Sequence, residues 1–430
     1  MDLYIKNLLN IKDANINIKG LTIIVGENDT GKSTIGKALF CLIDLLNLNL
    51  YKARIKYVLR LLYDLENIIK YEKNFTGFKT MVILKEINKL KVILKYKRNF
   101  LFENKTKTKY LESIEKIEKY IPKKFKDENK VLLTILDNLK NVFDEKFLEK
   151  IKKDYAYQTL NNLFFGDFIK KGENEAFLKL SLKDEFILVK VNKDGTLELK
   201  EKNLRVLKNL EISYIETPFI FNIMNILLDT SLEGKEYYPI LKDLKEKLIS
   251  LPKKDKFLER KNLEEIKQKI IKIIGGKIEI DDLTGRFLYK KGSNSYQIEN
   301  TATGIKAFGI LLILLEKGYI GKNSILFLDE PEVHLHPKWQ IEYGKIIVEL
   351  VKFGVNVIIS THSPYMVDIL EVLTKKEKIN SNFYFAFNEN NENKFRKLSV
   401  DNLEEIYSSL AKPIDIIREE ENKIEDYKNN

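Results

Sequence analysis

Apolar and polar residues alternate through the first 25 positions, in LYIKNLL, ANINIKG and LTIIVG, with turn residues around Asp13 and Gly20 between them. Period-two alternation predicts short strands, the last running straight into Gly26. From Lys32 to about Leu48 the segment KSTIGKALFCLIDLLNL places its apolar residues at helical spacing, so a helix leaves the glycine-bearing loop. Between about Asn49 and Phe165 the pattern changes to charge-rich segments such as YLESIEKIEKYI and NVFDEKFLEKIKK, apolar three and four apart and nearly free of glycine. That region is expected to be a helical insertion. FLKLSLKDEFILVKVNKDGTLELKEK then alternates around an NKDGT turn, a hairpin signature, and ISYIETP predicts a buried strand ending at Pro218.

Helical patterns flank Pro252, followed by strand-like KIEIDD, RFLYKK and SYQIEN and by TATGIKAFGILLILLEKG, a turn leading into an apolar helix. From Ser324 onward strand and helix alternate: ILFLDE, KWQIEYGKIIVELVKFG, VNVIIST, PYMVDILEVL, NFYFAF. Alternation of this length predicts a parallel sheet with right-handed crossovers. The expected fold is therefore α/β, a mainly parallel sheet with N-terminal antiparallel strands and a helical insertion. Its expected parts are residues 1–48, 49–165 and 166–430.

Composition narrows the picture further. An apolar fraction of 44% over 430 residues is ample for a core, and the single cysteine, Cys41, excludes an internal disulfide and any thiolate metal cluster. The N-terminus MDLYIKNLLNIKD lacks a basic stretch followed by an apolar one, and no apolar run approaches the roughly 18 residues of a spanning helix. A cytoplasmic location is expected. The formal charge of +11 suits a polyanionic partner, although the lysines are interspersed with glutamates. RIKYVLRLLYDLENIIKY and KLKVILKYKRNF are the most basic part of the insertion, either a solvated face over a small core or an arm that grips nucleic acid or a partner protein.

Candidate chemistry begins with GENDTGKS, Gly26 to Ser33, which satisfies G-x-x-x-x-G-K-[ST] between a predicted strand and a predicted helix. Backbone N–H groups of such a loop point inward and the helix N-terminus adds positive potential, so it wraps a phosphate chain. Asn28, Asp29, Thr30, Gly31, Lys32, Ser33 and, at the edge, Thr34 form the expected nucleotide-contacting set with Gly26. Lys32 should neutralise the β- and γ-phosphates of ATP, and the Ser33 hydroxyl should coordinate Mg2+. SILFLDE ends in two carboxylates: Asp329 suits the Mg2+ ion, and Glu330 suits the attacking water as base or orienter. Successive strand residues face opposite ways, so the strand must end between these acids, as Pro331 suggests. His362 ends the next strand, VIISTH, and adjacent parallel strands deliver their ends to one crevice, where an imidazole can hydrogen-bond the γ-phosphate or the water. His334 and His336 have H-x-H spacing, but no third imidazole lies near them in sequence. They are expected to shape the loop after Glu330 and to meet the nucleotide edge or a facing subunit.

Taken together, GENDTGKS, DEPEVHLHP and STHSP resemble the ABC-type P-loop ATPase heads of the RecF, SMC and OLD group, DEPE-x-x-LHP being typical of the OLD-like branch. The resemblance implies a signature segment before the acid pair. TATGIKAFGIL occupies that place, with Thr303, Gly304 and Lys306 at the matching positions, threonine replacing the usual serine. It further implies an ATP-sandwiched homodimer or higher oligomer in which Thr303 and Gly304 act on nucleotide held by the other subunit. Glu216 in YIETP is a candidate for the glutamine-loop position. Residues 363–430 are too few for the Toprim nuclease domain of OLD proteins, and no segment sustains the heptads of long SMC coiled coils. The implied role is a stand-alone ATPase subunit that controls a separate effector, a nuclease or toxin, in anti-phage defence; the alternative is a RecF-like ATP-dependent DNA-binding protein.

Overall fold

The computed structural model describes residues 1–430 except 73, 74, 76, 97–103, 228–237, 257–260, 282–283, 334, 413–416 and 419–430. In chain order the elements are β1 (Asp2–Leu8), β2 (Ile11–Asn17), β3 (Leu21–Gly26), α1 (Lys32–Leu46), α2 (Leu50–Tyr71), α3 (Phe78–Tyr96), α4 (Asn104–Tyr120), α5 (Lys123–Glu128), α6 (Lys130–Lys140) and α7 (Glu145–Phe164). Then come β4 (Glu175–Leu182), β5 (Glu185–Asn192), β6 (Leu197–Lys202), β7 (Ile212–Ile215), α8 (Ile220–Leu227), α9 (Pro239–Ile249), α10 (Glu264–Ile274), β8 (Lys277–Ile280), β9 (Phe287–Lys291) and β10 (Asn294–Gln297). The chain continues through α11 (Thr303–Lys317), β11 (Ile325–Asp329), α12 (Pro337–Phe353), β12 (Asn356–Thr361), α13 (Pro364–Glu377), β13 (Ser381–Glu389) and β14 (Glu392–Leu398). Two compact units result, residues 1–47 with 157–430, and residues 48–156.

The larger unit is built on an eleven-stranded sheet of order β6-β5-β4-β1-β2-β14-β13-β3-β12-β11-β7. β13, β3, β12, β11 and β7 run parallel, and β6, β5, β4, β1 and β2 are antiparallel. β14 joins the two halves, antiparallel to β13 and parallel to β2. Burial explains the division. β3 and β11 are buried at every position, as strands covered on both faces must be, and their sequences LTIIVG and ILFLD are nearly all apolar. β5 alternates buried with half-buried residues, the mark of a strand with one covered face.

Helix α1 can lie close against the sheet because Gly36 has no side chain: a Cβ there would sit 2.4 Å from the Phe327 ring of β11. Packing against α11 and α12 completes a core that includes Phe308, Leu311, Leu328, Tyr343 and Ile347, all buried. The smaller unit has its own core, in which Val58, Leu62, Leu65 and Ile69 of α2 recur at helical spacing and join Ile87, Leu90, Ile114, Ile117, Leu132 and Leu136. Among the described residues no single helix is long and apolar enough to cross a membrane.

Candidate functional site

The glycine loop is shaped by steric necessity at its start. A Cβ on Gly26 would fall 2.2 Å from the Ala386 carbonyl oxygen, so only glycine lets β3 end beside β13. Asp29 and Gly31 then take left-handed conformations, φ 63° and 85°, which turn the chain back into α1. Thr30 Oγ1 donates to the Glu27 carbonyl at 2.8 Å, and the buried Asn393 side chain of β14 donates to the Asp29 carbonyl at 3.0 Å. Gly31 caps α1 without a side-chain bond, which leaves first-turn N–H groups for a ligand. Asn28 and Asp29 are exposed at the rim; Thr34 is buried.

Lys32 is buried, and its ammonium donates to the Gly26 and Glu27 carbonyls at 2.9 and 2.8 Å. It also stands 3.4 Å from Glu330 Oε1. Ser33 Oγ donates to Asp329 Oδ1 at 3.0 Å. Asp329, the last residue of β11, is buried and receives two further hydroxyls, Ser360 on Oδ1 and Tyr214 at 2.7 Å on Oδ2. Burial beside this carboxylate pushes the Tyr214 phenol well above its usual range, so it remains a donor.

Glu330 breaks the strand with φ 46°, and its N–H donates to the Ser360 carbonyl at 3.0 Å. The acids therefore do not alternate faces as strand neighbours would, and Glu330 Oε1 lies 3.4 Å from both the Lys32 ammonium and His362 Nδ1. Contact with His362, aided by Lys32 and opposed by burial, holds the Glu330 carboxyl below its ordinary range. The imidazole is raised in turn, chiefly by Glu330, against the effect of its own burial. Strand order accounts for the meeting of these groups. β12 lies between β3 and β11, with Asp329 opposite Ser360 and Thr361 opposite Val25, so the glycine loop, the acid pair and His362 leave neighbouring strand ends.

A cavity of about 500 Å3 opens along the loop from Asn28 to Thr34 and is walled by Asp329, Glu330, Glu216 and Ala307. Its donor set fits a phosphate chain with a hard cation: inward backbone N–H groups, one ammonium, and an alcohol beside a carboxylate, both oxygen ligands. Glu216 is 3.9 Å from Lys37 and accepts from Tyr238 at 3.4 Å, and burial raises its carboxyl.

The signature candidates Thr303, Gly304 and Lys306 do not line this cavity, although Ala307 of the same segment does. Thr303 opens α11, whose N-terminus has no side-chain cap. A Cβ on Gly304 would meet the Trp339 ring at 2.3 Å, so this glycine answers to packing. Lys306 is engaged within its own chain. It is buried, and its ammonium is held by Asn222 Oδ1 at 2.9 Å and the Glu299 carbonyl at 2.8 Å. His336 is exposed and caps α12, Nδ1 accepting from the Lys338 N–H at 3.2 Å; His334 lies outside the described residues. Sequence reasoning missed Tyr214 and Glu332. Tyr214 stood in a strand read only as buried, whereas Glu332 stood in the quoted DEPEVHLHP, where the extra carboxylate was an unused signal.

The family described as AAA ATPase domain matches residues 1–367. Among solved structures the chain is similar to an SMC head bound to the C-winged helix domain of ScpA, with 14% identity, TM-score 0.42, and 93% of this chain and 97% of that one covered. It is also similar to the SMC head domain from Thermotoga maritima, with 12% identity, TM-score 0.39, and 93% and 98% covered. A third is the Pyrococcus furiosus SMC head domain with an extended coiled coil, bound to the C-terminal domain of ScpA, with 13% identity, TM-score 0.41, and 95% and 98% covered. No curated protein matches the chain.

Proposed function

We propose, from the premise that this chain belongs to the AAA ATPase domain family, that it is a Mg2+-dependent ATPase whose hydrolysis depends on Glu330 and His362. The observation that carries the reading is that Lys32, Ser33, Asp329 and Glu330 line one cavity from neighbouring strand ends, with His362 3.4 Å from Glu330 behind them. Gly26, Asn28, Asp29, Thr30, Gly31 and Thr34 frame the phosphates. Ser33 and Asp329 would hold the Mg2+ ion, which neutralises charge that develops on the phosphate oxygens. Phosphate competes with the Gly26 and Glu27 carbonyls for the Lys32 ammonium, and each contact Lys32 transfers frees Glu330 to accept a proton from water. His362 supplies a hydrogen-bond donor to the γ-phosphate. Phosphate release from Mg·ATP by the purified chain tests this; turnover in Glu330→Gln equal to wild type would overturn the role given to Glu330.

Thr303 and Gly304, at the uncapped N-terminus of α11, do not line the chain's own cavity, which supports a closed pair in which they face nucleotide on a second copy. ATP then stabilises the pair by differential contact, and hydrolysis releases it. In the OLD-like reading suggested by DEPEVHLHP, this cycle controls a separate cytoplasmic effector, a nuclease or toxin of anti-phage defence. Co-purification of such a chain with ATP-loaded but not ADP-loaded protein is the expected result.

A second reading rests on charge segregation. Residues 48–156 hold 27 Lys and Arg against 15 Asp and Glu, a formal +12, whereas the rest of the chain, 47 against 48, carries −1. All the net positive charge thus belongs to the helical unit, which favours DNA as its partner. Duplex binding that weakens steeply with salt would support this, and binding unchanged in a charge-neutralised helical unit would refute it.

A further inference from the structure

Glu332 is buried. Its Oε1 accepts the Thr361 hydroxyl at 2.6 Å and the His362 backbone N–H at 2.9 Å. Among the described residues its Oε2 is buried and has no hydrogen-bond partner. Among the described residues His362 Nδ1 is likewise buried without a hydrogen-bond partner, and it lies 3.6 Å from Glu332 Oε1 and 3.4 Å from Glu330 Oε1. An unsatisfied buried carboxylate oxygen costs free energy, and such a cost marks a group held for something else.

A second tie runs parallel to the first. Ser363 Oγ, which caps α13, donates to Gln340 Oε1 at 2.7 Å, and Gln340 Nε2 donates to the Leu335 carbonyl at 3.0 Å. The loop after the acid pair is therefore fastened to the end of β12 on both sides of His362.

We infer that Glu332 is the positioning residue of His362: it clamps the backbone at the end of β12 and places a carboxylate beside the imidazole, so that the ring meets a γ-phosphate as a donor. The inference rests on the ATPase reading, and it deepens it by giving the second glutamate of DEPE a task separate from that of Glu330. The charged groups facing the imidazole are Glu330 and Glu332 from the loop after β11 and Lys32 from the start of α1. The two carboxylates favour the imidazolium and Lys32 opposes it, so removing one carboxylate shifts the balance.

Histidine-labelled full-length protein titrated by NMR gives a direct readout, since the chain has only three histidines and His362→Gln identifies the signal. Glu332→Gln keeps an acceptor for Thr361 and His362 but removes the charge. The expected result is a lower midpoint for His362 in that variant, with kcat for ATP reduced several-fold and KM little changed. An unchanged midpoint would overturn the inference and leave Glu332 as a loop staple. Thr361→Val provides a second arm: loss of the clamp should lower kcat while the His362 midpoint stays raised, and wild-type kcat there would count against clamping. Because the titration needs no catalysis, absence of ATP turnover in the wild type together with a shifted midpoint would sink the ATPase reading alone.

Discussion

Replacing Tyr214 by Phe tests whether Asp329 is oriented by the chain itself. The phenol is fully buried, donates at 2.7 Å to Asp329 Oδ2, stacks on Phe327 at 4.6 Å and meets Phe40 edge-on at 6.4 Å. Phenylalanine preserves both ring contacts and removes one hydrogen bond. Ser33 and Ser360 both donate to Oδ1, so among the described residues Oδ2 loses its donor. A hydrogen bond to a charged acceptor contributes about 1.5–3 kcal/mol, and a buried carboxylate oxygen left without one keeps its desolvation cost. The unfolding constant should therefore rise roughly 10- to 150-fold, at tenfold per 1.4 kcal/mol. Trp339, the only tryptophan, packs 5.6 Å from Phe308 in the larger unit, so its fluorescence in urea follows that unit's unfolding. A loss below about 0.5 kcal/mol would show that water or relaxation replaces the phenol, and the claim that Tyr214 orients Asp329 would fail.

Lys32→Ala should abolish binding of a fluorescent ATP analogue, because it removes the buried ammonium at the end of the glycine loop that would meet the phosphates; retained affinity would refute its phosphate role. Gly304→Ala would bring a methyl within 2.3 Å of the Trp339 ring and should cost about 1–3 kcal/mol by overpacking while changing tryptophan emission; a silent substitution would contradict the packing. The Glu330–His362 pair has a pH window with a definite sign. Glu330 is depressed, so its contribution is complete above about pH 4.5 and is lost as pH falls through the folded value. His362 is raised, so its contribution is complete below about pH 6.5 and is lost as pH rises through the folded value. The urea midpoint difference between wild type and His362→Gln should thus be fullest between about pH 4.5 and 6.5 and shrink as pH rises through the raised imidazole value; a difference that grows with pH would refute the pairing.

Much of the architecture was legible because its signals are local. Period-two alternation located β1 to β3, continuous apolar runs located the doubly covered strands, and GENDTGKS can only be a tight turn between a strand and a helix. The change to charge-rich helical spacing after Asn49 is likewise visible without coordinates. β14 escaped, since ENKFRKL shows no clean apolar face, yet it supplies Asn393 to the Asp29 carbonyl and bridges the two halves of the sheet.

The amino-acid order by itself determined which chemical groups are present and on which strand ends they stand: Lys32 and Ser33 after β3, Asp329 and Glu330 after β11, His362 after β12. Only tertiary structure decided which of them touch. The insertion of β12 between β3 and β11 brings residues about 300 apart in the chain, Ser33 and Asp329, within 3.0 Å, and no local pattern encodes strand order. The same holds for the inward turn of Lys306, the positive φ of Glu330 and the phenol of Tyr214 beside Asp329. Each is set by what packs against it across the sheet, and those neighbours are fixed by the global balance of burial and hydrogen bonding rather than by adjacency in the chain.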